Sequence, residues 1–137
     1  MKRQYKALVL LFVIALIACE KDPAPLTPFD MVSGKTWYLE KRMVLSERDS
    51  VVYSFIGLPT FSFILRPEFR DTGYRDSDGY VGRYRILRSA DTLLLNVDSL
   101  NRGIAKSYRI THLGFNHLVV EYDMNQLINR LFFSSRL

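Results

Sequence analysis

Ser77-Asp78-Gly79-Tyr80-Val81-Gly82-Arg83-Tyr84-Arg85-Ile86-Leu87 is the stretch whose reading decides the fold. An Asp-Gly pair suits the left-handed backbone of a tight hairpin turn, and the residues after it alternate with period two. Arg83 and Arg85 fall on one face, Tyr84 and Ile86 on the other. This is the grammar of an antiparallel strand with one wet and one dry side.

The same grammar extends in both directions. Upstream, Thr36–Val44 sets Trp37, Leu39 and Met43 against the more polar Thr36, Glu40 and Arg42. Val51–Ile56 and Thr60–Leu65 are β-branched and aromatic runs split by Gly57-Leu58-Pro59, and Phe69–Tyr74 reads as a further short strand. Downstream, Ser89-Ala90-Asp91 turns into Thr92–Val97, and Asn101-Arg102-Gly103 turns into Ile104–Thr111. Leu113–Asn116 then turns into His117–Tyr122, and Leu127–Ser135 closes the series. Only Pro28–Ser33 leaves room for a single turn of helix. The pattern predicts an all-β domain, an antiparallel up-and-down meander of about eight strands closed into a small β-barrel. An open sheet of that many strands would expose its edges, so closure is expected.

Before this domain the chain changes character. Lys2, Arg3 and Lys6 precede Ala7–Ala18, twelve residues with no polar side chain, and Glu20-Lys21-Asp22-Pro23 ends the run. A helix of twelve residues spans roughly 18 Å, short of the roughly 30 Å of bilayer hydrocarbon. Residues 1–18 therefore read as a signal peptide. Its end, Leu16-Ile17-Ala18-Cys19, resembles the bacterial lipobox, with cleavage after Ala18 and diacylglycerol on the thiol of Cys19, the sole cysteine. Two or three acyl chains anchor stably, at about 0.8 kcal/mol per buried methylene. The mature chain would then have no free thiol and no disulfide.

Residues 19–32 form the lipidated cysteine and a proline-rich tether, since Glu20–Pro28 holds three prolines and favours an extended spacer. Residues 33–137 form the domain. The Glu20-Lys21-Asp22 cluster resembles, in part, the surface-export signals of Bacteroidota lipoproteins. The expected location is the bacterial cell envelope, in the outer membrane, facing either the periplasm or the surface. Loss of the leader lowers Lys plus Arg from 19 to 16 against 14 acidic residues, so net charge falls from +5 to +2. That surplus does not make the basic stripe a nucleic-acid partner requires.

Ser33-Gly34-Lys35-Thr36-Trp37-Tyr38-Leu39, with Phe61-Ser62-Phe63, Gly82–Ile86, Asp91–Leu95, Tyr108–Leu113, Leu118–Tyr122 and Phe132-Phe133, resembles the lipocalin-like lipoproteins common in Bacteroidota. The spacing Gly34-x-x-Trp37 is one residue longer than the Gly-x-Trp that opens lipocalins. The resemblance implies a lipocalin-like barrel more firmly than a function.

The motifs that suggest chemistry have simpler readings. Asp71-Thr72-Gly73 copies the aspartic-protease triplet, but no second copy exists and a polar turn is expected. Asp76-Ser77-Asp78-Gly79 is similar to a calcium loop, yet Leu87 stands where the closing Glu belongs. His112 and His117 are the only histidines and have no third ligand near in sequence. No catalytic residue, metal site or cofactor is expected, and the chain reads as a non-enzyme.

The aromatic content is the more informative feature. Eight Tyr, nine Phe and one Trp in one small barrel must mostly face inward. The expected interior is Trp37, Leu39, Phe61, Phe63, Tyr84, Ile86, Leu94, Tyr108, Leu118, Val120 and Phe132. A barrel of this size is either filled or holds one small ligand. The expected function is binding a small hydrophobic or amphipathic ligand through Trp37, Leu39, Phe61, Phe63, Tyr84 and Tyr108. The alternative is a filled barrel serving as an interaction module for an envelope protein partner, with an apolar patch or the arginines around Arg66, Arg70, Arg75, Arg83 and Arg85 as its surface.

Overall fold

The computed structural model describes residues 24–55, 57–66 and 71–136. Period-two alternation becomes nine antiparallel strands: β1 (Lys35–Leu45), β2 (Ser50–Ser54), β3 (Thr60–Arg66), β4 (Asp71–Asp76), β5 (Val81–Ser89), β6 (Thr92–Ser99), β7 (Ile104–Leu113), β8 (His117–Met124) and β9 (Leu127–Ser135). One helical turn, α1 (Pro28–Val32), precedes them. Strands pair with their sequence neighbours from β3 to β9, and β1 pairs with β9, so eight strands close into an up-and-down barrel.

β1 closes the ring because its eleven residues serve three partners. One edge carries β9, from Trp37↔Ser135 to Leu45↔Ile128. The other edge is shared: Lys35–Tyr38 pairs with β3, and Lys41–Leu45 pairs with β2. β2 is therefore an extra strand outside the ring, and all five of its residues are exposed. The β1–β2 turn is held by Ser46, whose Oγ accepts the Asp49 N–H and donates to the Asp49 carbonyl, both at 3.0 Å.

The turns form where their residues favour them. Gly79 takes φ +81° between β4 and β5, and Asn125 and Gln126 both take positive φ in the two-residue link from β8 to β9. Two successive left-handed residues match the right-handed twist of the strands they join.

α1 seals one end of the barrel. Thr27 and Asp30 cap its start reciprocally, and Pro28 sits in its first turn. The Trp37 indole N–H donates to the Val32 carbonyl at 3.1 Å, and the Tyr84 hydroxyl donates to Ser33 Oγ at 2.8 Å. Phe29 stacks on Tyr84 with ring centroids 5.7 Å apart. Beneath this cap Trp37, Phe63, Tyr84, Leu95, Leu118 and Phe133 are fully buried. This half of the barrel is filled.

Four expectations are corrected. A β-bulge between Leu39 and Lys41 adds one residue to β1. Arg42 therefore joins the inward face with Trp37 and Leu39, opposite buried Leu131, while Met43 leaves it. Leu94 and Phe132 face outward, and their neighbours Leu95 and Phe133 fill the interior instead. Lys41 rests over the outward Phe132 ring, 4.4 Å from its centroid. Asp71-Thr72-Gly73 opens β4 and is not a turn: Thr72 pairs with Leu65, and Gly73 with Ile64 and Arg83.

Gly82 allows β5 and β6 to approach closely. A Cβ there would lie 1.7 Å from the Asp98 carbonyl oxygen, a backbone atom of β6 that no rotamer change removes. Gly82→Ala is expected to lower unfolding free energy by about 3 kcal/mol, because overpacking against backbone cannot relax. Urea denaturation followed by tryptophan fluorescence reads this directly, and a loss below about 0.5 kcal/mol would contradict it.

Candidate functional site

At the end away from α1 the barrel is hollow. The cavity has a volume of about 590 Å³ and opens to solvent, a size typical of small-molecule sites, which run from about 300 to 1,000 Å³. Leu39, Phe61, Tyr108, Tyr122 and Leu131 form its apolar wall, and Phe55 and Pro59 flank it. Arg42, Asp76, Asp78, Lys106 and Asp123 bring charge to its lining and rim.

Phe61 separates the hollow half from the filled half. Its ring packs on Phe133 at 4.7 Å and meets Tyr74 edge-on at 5.6 Å, with Tyr108 at 6.0 Å. Tyr108 in turn meets Tyr122 edge-on at 5.7 Å. These contacts make a continuous aromatic wall between floor and mouth.

Of the sequence candidates, Leu39, Phe61 and Tyr108 line the cavity. Trp37, Phe63 and Tyr84 are packed in the filled half, each no more than 1% exposed, and do not reach it. Arg42, Tyr122 and Leu131 were not among the candidates. Tyr122 shares a face with Leu118 and Val120, so alternation along β8 could have found it. Arg42 could not be found that way, because the bulge shifts the count.

The rim is built by the β4–β5 turn. Asp76, only 8% exposed, accepts the Tyr74 hydroxyl on Oδ2 at 2.8 Å. Its Oδ1 accepts the backbone N–H groups of Asp78 at 3.0 Å and Tyr80 at 2.9 Å. The run that is similar to a calcium loop is thus a hairpin turn whose first carboxylate already has three donors. Among the described residues no three His, Cys, Asp or Glu side chains group in a way that could hold a metal ion. His112 and His117 are exposed.

Two wall phenols stay protonated well beyond the ordinary range. Burial pushes Tyr74 up first, and its hydrogen bond to the Asp76 carboxylate adds to this. Burial likewise raises Tyr108, with Tyr122 beside it contributing. Both present neutral hydroxyls to the barrel interior.

Of the arginines named from the sequence, Arg70 lies outside the described residues. Arg75 and Arg83 are exposed, and Arg85 makes an exposed pair with Asp98 at 3.5 Å. Glu121 is different: its side chain is 7% exposed and lies between Arg109 at 3.2 Å and Arg130 at 2.6 Å. The three occupy one cross-strand row on β7, β8 and β9.

No known family, curated protein or solved structure matches this chain.

Two outcomes check the account of the rim. Tyr74→Phe leaves Asp76 Oδ2 without its donor and is expected to destabilise the fold by about 1–3 kcal/mol in chemical denaturation. The raised Tyr74 and Tyr108 values favour the folded state below the ordinary tyrosine value of 10.0, and that contribution is lost as pH rises above it. Phenolate absorbance should therefore show tyrosines, Tyr74 and Tyr108 among them, that ionise only together with unfolding. Smooth titration of every tyrosine in the folded state would contradict this.

Proposed function

We propose that this chain is a bacterial envelope lipoprotein whose barrel carries a small hydrophobic or amphipathic ligand in its open mouth, without catalysing a reaction. The observation that supports this most is the hollow of about 590 Å³, apolar inside and charged at the rim, in a barrel otherwise packed with aromatics. A barrel that needed only to be stable would be filled throughout, because empty apolar volume costs stability. Open apolar volume with a few polar groups at its mouth is what an amphiphile fits.

The anchoring part of the proposal rests on the leader and on Leu16-Ile17-Ala18-Cys19, which lie outside the described residues. Residues 24–27 lead into α1 at the sealed end. A tether to acyl chains on Cys19 would thus join the barrel opposite its mouth and leave the mouth free.

One observation favours a second reading, docking of an envelope protein. β2 stands outside the ring with Val51, Val52 and Tyr53 each about half exposed, at 50%, 51% and 50%. Such a strand can accept another chain along its edge.

The described residues form a closed barrel with its own core, so residues 20–137 are suited to testing without the leader. Organic extraction of that protein, purified without detergent and analysed by mass spectrometry, should yield one lipid-like species near one per barrel. Leu131→Trp, which places an indole in the hollow, should abolish recovery while the melting temperature stays within a few degrees. An empty extract, repeated after incubation with envelope lipids, would reject ligand carriage.

A further inference from the structure

The cavity lining holds a guanidinium that, among the described residues, forms no ion pair. The bulge in β1 turns Arg42 into the barrel, where it lines the hollow beside Leu131. Its guanidinium is fixed by Asn129, whose Oδ1 accepts from Nε at 2.9 Å and from Nη2. Asn129 is itself 1% exposed and is held through its Nδ2 by the Leu127 carbonyl at 3.3 Å. Among the described residues no carboxylate lies within ion-pair distance of Arg42, and its Nη1 has no hydrogen-bond partner.

A guanidinium at the wall of a largely apolar hollow attracts an anion more strongly than one in open water, because the local dielectric is lower. Arg42 is half-buried there and also rests over the Tyr53 ring at 5.9 Å. Other sites in this protein show the contrast. Glu121, outside the barrel, has two arginines, whereas inside, Asn129 offers Arg42 only a neutral oxygen. The acidic groups of the lining lie beyond ion-pair distance of Arg42. Asp76 is occupied by Tyr74, Asp78 and Tyr80, and Asp78 and Asp123 are exposed at the rim. Lys106, the other lining cation, sits over the Tyr80 ring at 4.4 Å.

We infer that Arg42, oriented by Asn129, is the head-group site of the cavity, and that the ligand is an amphiphile bearing a carboxylate. A guanidinium meets a carboxylate with short, charge-assisted hydrogen bonds, and Nη1 is the donor left open for them. The tail then lies along Leu39, Leu131 and Phe61. Asn129 acts as a positioning residue. This inference rests on the reading of the barrel as a carrier and specifies the chemistry of what is carried.

The test compares three probes of equal chain length on residues 20–137 by isothermal titration calorimetry below their micellar concentrations: laurate, dodecanol and dodecyltrimethylammonium. Laurate is expected to bind at least tenfold more tightly than either of the others. Arg42→Met should bring laurate binding to within twofold of dodecanol binding measured on the same variant. Asn129→Asp, which keeps the side-chain volume and supplies the missing counter-charge, should remove the laurate preference while dodecanol still binds. Equal binding of laurate and dodecanol would overturn the inference and leave the carrier reading intact. Preference for the cationic probe, or a laurate preference that survives both substitutions, would overturn it as well. Binding of none of the three would reject both readings together.

Discussion

Pairing between the first and last long strands underlies everything else in this structure. Backbone N–H and C=O groups along a sheet edge must find partners, and a sequential meander solves this only by returning to its start. β1 and β9 run antiparallel over most of their length and complete the ring. β1 must serve β9 on one edge and both β3 and β2 on the other, and the bulge at its middle falls where the partner changes. The same extra residue turns Arg42 from the outer face into the hollow. Closure and the charge inside the cavity thus have one backbone origin.

Closure also divides the interior. Near α1, the rings of Phe29, Tyr84 and Phe63 pack in sequence above Trp37, whose N–H is satisfied by the end of the helix. Among the described residues no buried side-chain polar atom lacks a partner, and this half is full. Beyond Phe61 the hollow is lined by Leu39, Leu131 and Tyr122, and Asp76 ties the β4–β5 turn at its mouth. On the outside, Glu121 joins β7, β8 and β9 through two arginines; because it is nearly buried, losing both arginines would leave its charge uncompensated, a larger cost than breaking an exposed pair.

The strands were legible because alternation and turn residues are local signals. Tyr80–Leu87 after Asp78-Gly79 is the clearest case, and it became β5 with Tyr84 inside and Arg83 and Arg85 outside. Legibility failed where both neighbours are apolar. Leu93-Leu94-Leu95 and Phe132-Phe133 carry no polar residue to mark the wet side, so either register fits the pattern. Leu95 and Phe133 were selected by what they meet across the barrel. The site was half legible for a related reason. Leu39, Phe61 and Tyr108 are recognisable as inward aromatic or apolar positions, but Trp37, Phe63 and Tyr84 look the same in sequence and lie in the filled half. Depth along the barrel axis has no sequence signature.

What the sequence determined by itself is the content of its local patterns. They are the basic and apolar run that precedes Cys19, the three prolines of Glu20–Pro28, the strand series with its Gly, Asp and Asn turns, and the single helical turn before Ser33. What only the tertiary structure decided is everything that depends on residues distant in the chain meeting. That covers the β1–β9 closure, the exclusion of β2 from the ring, the inward turn of Arg42, and the boundary at Phe61 between packed core and open cavity. A period-two pattern states which side of a strand is dry. The volume left between eight such sides is set by their summed packing in three dimensions.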